Sequence, residues 1–241
     1  MAFEAKTYII KQMKERVRLK ECFSGVKVVD WDFDGVLINS AKPVLERQCE
    51  VWKEKYNLDA IKGWDWTYHM SLKYGLTQEE AIKLQNDTWM NSVVLSKSEP
   101  LFGAWALSYR FYRMGISQHI TTSRLPSLKE CTYDSVNRYY PWIPLENVHV
   151  RDGTNIDKDQ FKVDWVRRMF ANLHFEDNRI QARLIAENTS ATVIYLPYPD
   201  DKGSLKDLVN IIEVPRVSGF PNLWKAYQII NESNYRNVAQ Y

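Results

Sequence analysis

The stretch that constrains this chain most is Val26-Lys27-Val28-Val29-Asp30-Trp31, followed at once by Asp32-Phe33-Asp34-Gly35. A β-branched apolar run of this length reads as a buried strand. It ends in two carboxylates one residue apart and a glycine that lets the chain turn sharply. In an extended strand end alternate residues share a side, so Asp32 and Asp34 are expected to project together with Phe33 turned away. Three further apolar runs also stop at polar or turn residues: Ile116 to Thr122 after Gly115, Leu173 to Phe175 before Glu176-Asp177, and Ala191 to Leu196 before Pro197. Apolar residues at helical spacing predict helices over Ala104–Met114, Leu128–Tyr140, Phe161–Ala171 and Arg179–Glu187. Strands alternating with helices imply an α/β fold, a parallel sheet covered on both faces.

The stretch from Ser40 to Glu99 breaks that alternation. It holds helical patterns over Val44–Tyr56 and Gln78–Met90, with an aromatic linker at Trp64-Asp65-Trp66. It reads as a helical insert after the first strand. Beyond Pro199 a polar turn, Asp200-Asp201-Lys202-Gly203, opens a tail that ends in a predicted helix around Leu223 to Asn231 and has no assigned role.

Length and composition set outer bounds. With 241 residues, 45% of them hydrophobic, the chain fits one large domain or one domain carrying a smaller insert. A net charge of +2 is too small to argue for sequence-independent nucleic-acid binding. Cys22, Cys49 and Cys131 are far apart and lack a CxxC spacing, against a disulfide framework or zinc site and in favour of a reducing compartment. There is no apolar run of bilayer length and no hydrophobic signal core, while Lys11 to Lys20 is charged and helical in pattern. The expectation is a cytoplasmic protein.

In an open parallel sheet, ligands bind at the carboxyl ends of the strands. The residues there are Asp32, Asp34, Gly35, Thr122, Ser123, Glu176 and Asp177. Carboxylates gathered at one edge repel each other unless a cation neutralises them, and an all-oxygen set favours a hard cation, Mg²⁺ above others. One carboxylate can attack phosphorus while a second handles the leaving-group proton. A hydroxyl from Thr122 and a lysine would complete a cradle for the phosphoryl oxygens; Lys162 is preferred to Lys158. The ordinary readings are that Asp-x-Asp-Gly is only a turn, that Thr122 caps a helix, and that Glu176-Asp177 sit at a helix N-terminus. The ordered set of four segments weighs against them. His69, His119, His149 and His174 are assigned no chemistry, with His119 and His174 expected in or near the core. Lys129 and Arg138 read as a solvated helix face, whereas Arg124 follows Thr122 closely enough to reach a substrate. Among Trp64, Trp66, Tyr68 and Trp89, most are expected to pack the insert and at most one or two to touch a ligand.

Taken together, these segments resemble the haloacid dehalogenase (HAD) superfamily over Val26 to Pro197. Asp32-Phe33-Asp34-Gly35-Val36-Leu37 resembles its first motif, Thr122-Ser123-Arg124 its second, Lys162 its third and Phe175-Glu176-Asp177-Asn178 its fourth. The resemblance implies a three-layer Rossmannoid core over 1–39 and 100–241, its tail at 200–241, and a helical type 1 cap over 40–99. It makes Asp32 the nucleophile and Asp34 the general acid and base, with the Asp34 main-chain carbonyl on the metal. Thr122 and Lys162 would hold the phosphate, with Gly35, Ser123 and Arg124 lining the substrate. The Mg²⁺ site would draw on Asp32, Asp34, Glu176 and Asp177, and Glu176, where an Asp is commoner, leaves open which of the last two is the direct ligand. Glu99 to Ala104 and Tyr133 to Trp142 are similar to the 5′(3′)-deoxyribonucleotidases. Asp159 and Phe161 to Trp165 are similar to the phosphatase domain of phage polynucleotide kinases. The expected activity is Mg²⁺-dependent hydrolysis of a small phosphomonoester, a nucleoside monophosphate first. The alternatives are a 3′-phosphatase on nucleic-acid ends, a sugar or small-metabolite phosphatase, and a non-catalytic module that binds a phosphorylated ligand.

Overall fold

The computed structural model describes residues 23, 25–53, 66–153, 155–199, 201, 205, 207–214, 216–217, 220–221, 223–224 and 227–228. The predicted helix over Lys11–Lys20, Cys22, Trp64, the side chain of Trp66 and the tail beyond 228 lie outside them.

A six-stranded sheet forms the centre. Its strands are β1 (Val28–Trp31), β4 (Ser117–Thr122), β5 (Val148–Val150), β6 (Leu173–Glu176), β7 (Thr192–Tyr195) and β8 (Ile211–Glu213). All neighbours pair parallel, in the order β5-β4-β1-β6-β7-β8. The chain builds outward from β1 to one side, then crosses back to build on the other. The strand order therefore reverses at β1, and the crevice above its tip is where such sheets bind ligands.

Alternation along the strands assigns the two faces. Val29, Trp31, Leu173 and Phe175 turn to one face, with Trp31 stacked on Phe175 at 4.1 Å between ring centres. Helices α5 (Phe102–Arg113) and α6 (Lys129–Tyr139) cover them through Leu107, Phe111 and Val136, joined by Tyr140 just after α6. The opposite face carries Val193 and Tyr195 under α7 (Lys158–Arg168) and α8 (Arg179–Asn188), which contribute Val163, Val166, Ala182 and Ile185. The result is the three-layer α/β architecture that the alternation of segments implied.

A two-stranded antiparallel ribbon marks the helical insert. In it β2 (Ile38–Asn39) pairs with β3 (Glu99–Pro100), Ile38 opposite Pro100 and Asn39 opposite Glu99. Between them lie α1 (Ala41–Trp52), α2 (Trp66–Lys73), α3 (Gln78–Trp89) and α4 (Ser92–Leu95). A capping box starts α3, the Thr77 hydroxyl accepting from Glu80 N while the Glu80 carboxylate takes the Thr77 amide. The small core of this unit, around Val44, Leu45, Val94 and Leu95, is closed by Leu128 and Tyr198 from the central domain.

Three expectations need correction. The tail after Asp200 is more than a helical appendage, because Ile211–Glu213 adds the edge strand beside β7. Strand β5 went unread because three residues with a histidine in the middle make no apolar run. Helix α7 begins at Lys158, earlier than its first apolar residue, because Asp157 caps it by accepting from the Asp159 and Gln160 amides, both at 2.8 Å. Among the described residues, no helix is long and apolar enough to cross a membrane.

One packing detail at the β4–β5 side predicts a pH dependence. The His149 ring stacks on Trp165 at 3.7 Å and its Nε2 lies 3.3 Å from His119 Nδ1. Burial pushes the His149 imidazole down to about 4, whereas an unfolded histidine titrates near ~6.5. Between these values the unfolded chain binds the extra proton, so stability is full above the upper value and falls as pH drops through the window. Urea midpoints should therefore decline from pH 7 to pH 4.5, less steeply in His149→Phe. Equal slopes in both proteins would remove His149 as the source.

Candidate active site

The tip of β1 is held between its neighbours. The Asp32 amide continues the ladder by donating to Phe175 O at 2.9 Å, and the Asp32 Oδ1 accepts from the Phe33 amide at 2.8 Å. Phe33 is fully buried in the core, which forces the next residues into a turn. Gly35 adopts φ +74°, the left-handed region, and a Cβ there would stand 2.1 Å from Asp177 Oδ2. The glycine thus serves two purposes: it turns the chain, and it lets the β1 and β6 loops touch.

Beneath this tip a line of buried charges crosses the α7 face of the sheet. Lys162 reaches from α7 with Nζ 2.8 Å from Asp32 Oδ1 and 2.7 Å from Glu176 Oε2. Glu176 Oε2 also receives His174 Nε2 at 3.2 Å, while its Oε1 accepts from the amides of Asp177 and Asn178 at 3.1 and 2.9 Å. A carboxylate has about four acceptor sites, so those of Glu176 are taken up by protein donors. On the far side His174 Nδ1 lies 2.7 Å from Asp30 Oδ2, and Asp30 Oδ1 accepts from Thr121 Oγ1 at 2.8 Å. With a carboxylate at each ring nitrogen, the histidine is held as imidazolium: burial pushes it down, but bonds to Asp30 and Glu176 lift it to about 9. Burial raises Glu176 in the same way, but Lys162 and His174 bring it down to about 2. Asp32 goes the other way, pushed well above the usual carboxylate range by burial and by Glu176, against the pull of Lys162.

Asp34 sits in a different environment. The guanidinium of Arg124 grips its carboxylate in two places, Nε to Oδ2 at 2.8 Å and Nη2 to Oδ1 at 2.7 Å, and the Ser40 hydroxyl also donates to Oδ1. Arg124 is anchored in turn by donating to Thr132 Oγ1 in α6 at 3.1 Å. Burial raises the Asp34 carboxyl, yet the charge and bonds of Arg124 win and hold it below its usual value. The expected common side for Asp32 and Asp34 therefore divides into two charge-paired arrangements, one per cation.

Oxygens of Asp32, Glu176 and Asp177 lie within 4.8 Å of one another. Oxygens on opposite sides of one Mg²⁺ are about 4 Å apart, so the spacing and the all-oxygen chemistry fit such an ion. The raised Asp32 carboxyl points the same way, since these acids carry more negative charge than Lys162 offsets. The Asp34 side chain is outside the trio. Tyr198 orients Asp177 by donating to Oδ2 at 2.8 Å.

Above these groups lies a cleft of about 300 Å³. Asp32, Asp34, Gly35, Thr122, Ser123, Arg124, Lys162 and Asp177 all line it, so the structure gathers these sequence candidates at one place, with Glu176 just below. Thr122 Oγ1 accepts from the Arg124 amide at 3.3 Å, and Ser123 Oγ accepts from Gln181 Nε2 at 3.2 Å. From the insert, Gln85, Asn86, Trp89 and Met90 form the opposing wall. Lys158 also lines the cleft, but it is Lys162 that touches the carboxylates. Lys129 and Arg138 lie over the rings of Tyr133 and Tyr139, away from the cleft. Asp30, Ser40 and Tyr198 are participants that no sequence expectation named, while His174 is buried in the core as expected and joins the charge network there. Asp30 and His174 did carry a signal: a charged or titratable residue inside an apolar strand, two residues before a site carboxylate, requires a partner.

No family model matches the sequence, and no curated protein matches it. Solved structures do match by shape. A protein of Lactobacillus delbrueckii subsp. bulgaricus, provisionally named a phosphoglycolate phosphatase, superposes with a TM-score of 0.54 at 14% identity, over 79% of this chain and 95% of its own. A HAD family hydrolase of Deinococcus radiodurans R1, with bound phosphate and sodium, gives 0.52 at 15% identity over 80% and 92%. A protein of Bacteroides vulgatus, provisionally named a β-phosphoglucomutase, gives 0.52 at 14% identity over 88% and 98%. The fold is that of the HAD family hydrolases.

Within this HAD fold the contact at Gly35 can be isolated. Gly35 and Gly115 both have positive φ, at 74° and 70°, but a Cβ at Gly115 would meet nothing within 4 Å. Gly115→Ala should cost about 1–2 kcal/mol from backbone handedness alone. Gly35→Ala should cost clearly more, because Asp177 must move. Matching losses for the two in urea denaturation would show that the Gly35–Asp177 approach is slack.

Proposed function

We propose that this chain is a Mg²⁺-dependent phosphomonoesterase that works through an aspartyl-phosphate on Asp32. The observation that carries the reading is the setting of Asp32: a buried carboxylate at the tip of the central strand, one oxygen pinned by Lys162 and the Phe33 amide, facing a cleft walled by Thr122 and Asp177. With Oδ1 held, Oδ2 is the attacking oxygen. It forms the new O–P bond as the ester O–P bond breaks, and the departing oxygen takes a proton from Asp34. Asp34 then draws the proton from a water that attacks the phosphorus of the aspartyl-phosphate, freeing inorganic phosphate and restoring Asp32.

Asp32 and Asp177 would hold the cation, with the Asp34 main-chain carbonyl as the HAD resemblance implies. Bound there, Mg²⁺ supplies charge that suppresses the repulsion between the attacking carboxylate and the phosphoryl oxygens. The four donors around Glu176 make it the residue that fixes Lys162 rather than a direct ligand. Thr122, Ser123 and Lys162 would receive the phosphoryl group. Asp34 in its Arg124 pairing is ionised, which suits its role as base. Turned off Arg124 toward the leaving oxygen, it loses its counter-ion, its pKa rises, and it takes up from solvent the proton that it then delivers. Ser40, which begins the insert and donates to Asp34, ties that rotation to movement of the helical unit as a cap.

The wall facing the phosphoryl site argues for a nucleotide. Trp89 offers a ring for stacking on a base, and the Gln85 and Asn86 amides offer donors and acceptors for its edge. A sugar phosphate or other small phosphorylated metabolite is the second reading, favoured by the names of two shape neighbours.

Asp32→Asn should abolish Mg²⁺-dependent release of phosphate from p-nitrophenyl phosphate with an unchanged circular dichroism spectrum. Retained activity sinks the nucleophile assignment. Chelation should silence the wild type and added Mg²⁺ should restore it; activity indifferent to chelator would exclude the cation. Trp89→Ala should raise KM for nucleoside monophosphates about tenfold or more, in line with about 1–3 kcal/mol per stacked base, while sparing sugar phosphates. An equal effect on both substrate classes would remove Trp89, which also packs against the core of the insert, as the base platform.

A further inference from the structure

We infer that the cleft contains a second anion subsite, centred on Arg151 with Lys158 beside it, that takes a second phosphate of the substrate. This rests on the phosphomonoesterase reading and narrows its substrate class.

Arg151 is the first residue after β5, and it lines the same cleft as Asp32. Strand β5 lies two places from β1 in the sheet, so their tips are roughly 10 Å apart at ordinary strand spacing. Two cations of the cleft floor are held by carboxylates: Arg124 grips Asp34, and Lys162 bridges Asp32 and Glu176. Arg151 forms no ion pair within 4.0 Å among the described residues, although, after the Gln160 and Asp159 amides, its charge helps hold the Asp157 carboxyl below its usual value. One Nη donates to the Ile156 carbonyl at 3.2 Å, and its Nε is buried with no acceptor. That Nε is closed off from the cleft, but the other guanidinium N–H groups of Arg151, a side chain that lines the cleft, meet no acceptor besides the Ile156 carbonyl among the described residues and are left to receive an anion. The helix beside it is not the source of positive charge, since Asp157 already caps the first amides of α7. The side chains themselves make the subsite, and Arg151 presents the planar fork that matches two phosphate oxygens.

The cleft thus runs from a charge-paired attack site at β1 to an arginine without an ion pair at β5, and Trp89, Gln85 and Asn86 of the insert also line it. A ligand that fills it has a phosphomonoester at one end, a base under α3, and a second phosphate one sugar away. A nucleoside 3′,5′-bisphosphate has that form, and so does the terminal nucleotide of a phosphorylated strand, whose second phosphate is the internucleotide diester.

The test is binding to the Asp32→Asn variant with Mg²⁺ by calorimetry, with turnover by wild type measured beside it. Adenosine 5′-monophosphate, adenosine 3′,5′-bisphosphate and a 3′-phosphorylated dinucleotide are the probes. At least one of the two probes that carry a second phosphate should bind about tenfold or more tightly than the monophosphate. Adding Arg151→Gln should bring that ratio near one, and Arg151→Lys should restore part of it. Tighter binding of the bisphosphate points to a free nucleotide, tighter binding of the dinucleotide to a strand end. A ratio near one in Asp32→Asn, or a ratio that survives Arg151→Gln in a protein with unchanged melting temperature, overturns the subsite. A preference that follows Arg151, with no turnover by wild type of any probe or of p-nitrophenyl phosphate, keeps the subsite and overturns the phosphatase reading.

Discussion

The buried ammonium of Lys162, set between Asp32 and Glu176, is the contact on which the arrangement of this site depends. Four acidic groups, Asp30, Asp32, Glu176 and Asp177, gather at or near the ends of adjacent parallel strands, and for Asp32 and Glu176 burial alone would favour the neutral form. Lys162 offsets part of that charge, and the imidazolium of His174 offsets more by bonding to Asp30 and Glu176. Loss of one partner from such a buried set leaves a charge without compensation, typically at a cost of about 3–5 kcal/mol. The network is therefore structural and chemical at once. It holds β1, β6 and α7 in register, and it leaves Asp32 with one oxygen pinned and the other facing the cleft.

A second charge pair has a different purpose. The two-point grip of Arg124 on Asp34 is braced by Thr132 in α6 and joined by Ser40 at the root of the helical insert. Neighbouring carboxylates two residues apart thereby acquire opposite tendencies, Asp32 held high and Asp34 held low. Environments that separate the behaviour of two carboxylates are how one site divides attack from proton transfer. The insert contributes twice, through Ser40 at its root and through the α3 side chains across the cleft.

Much of this was legible in the sequence. The strand β1 and its Asp-Phe-Asp-Gly end were plain because a β-branched run and a turn signal lie side by side. Strands β4, β6 and β7, and helices α5 to α8, followed from apolar periodicity. Strands β5 and β8 were not legible: each is three residues long, and a short edge strand is defined by the neighbour it pairs with. Ser40 and Arg151 were invisible for a related reason. A serine after a strand and an arginine in a loop carry no local signal, and their meaning comes from groups far along the chain.

Asp30 and His174 show where the boundary falls. The chain alone dictated which residue types end each strand, because hydrophobic runs, turns and caps act over a few neighbours. It thereby dictated that carboxylates, a hydroxyl and a lysine would meet at one edge of a parallel sheet. Which oxygen faces which cation was decided only by the packed fold. Pairings such as His174 with Asp30 or Arg124 with Asp34 join residues 144 and 90 positions apart, and a distance of that kind is set by strand order and helix packing rather than by sequence spacing.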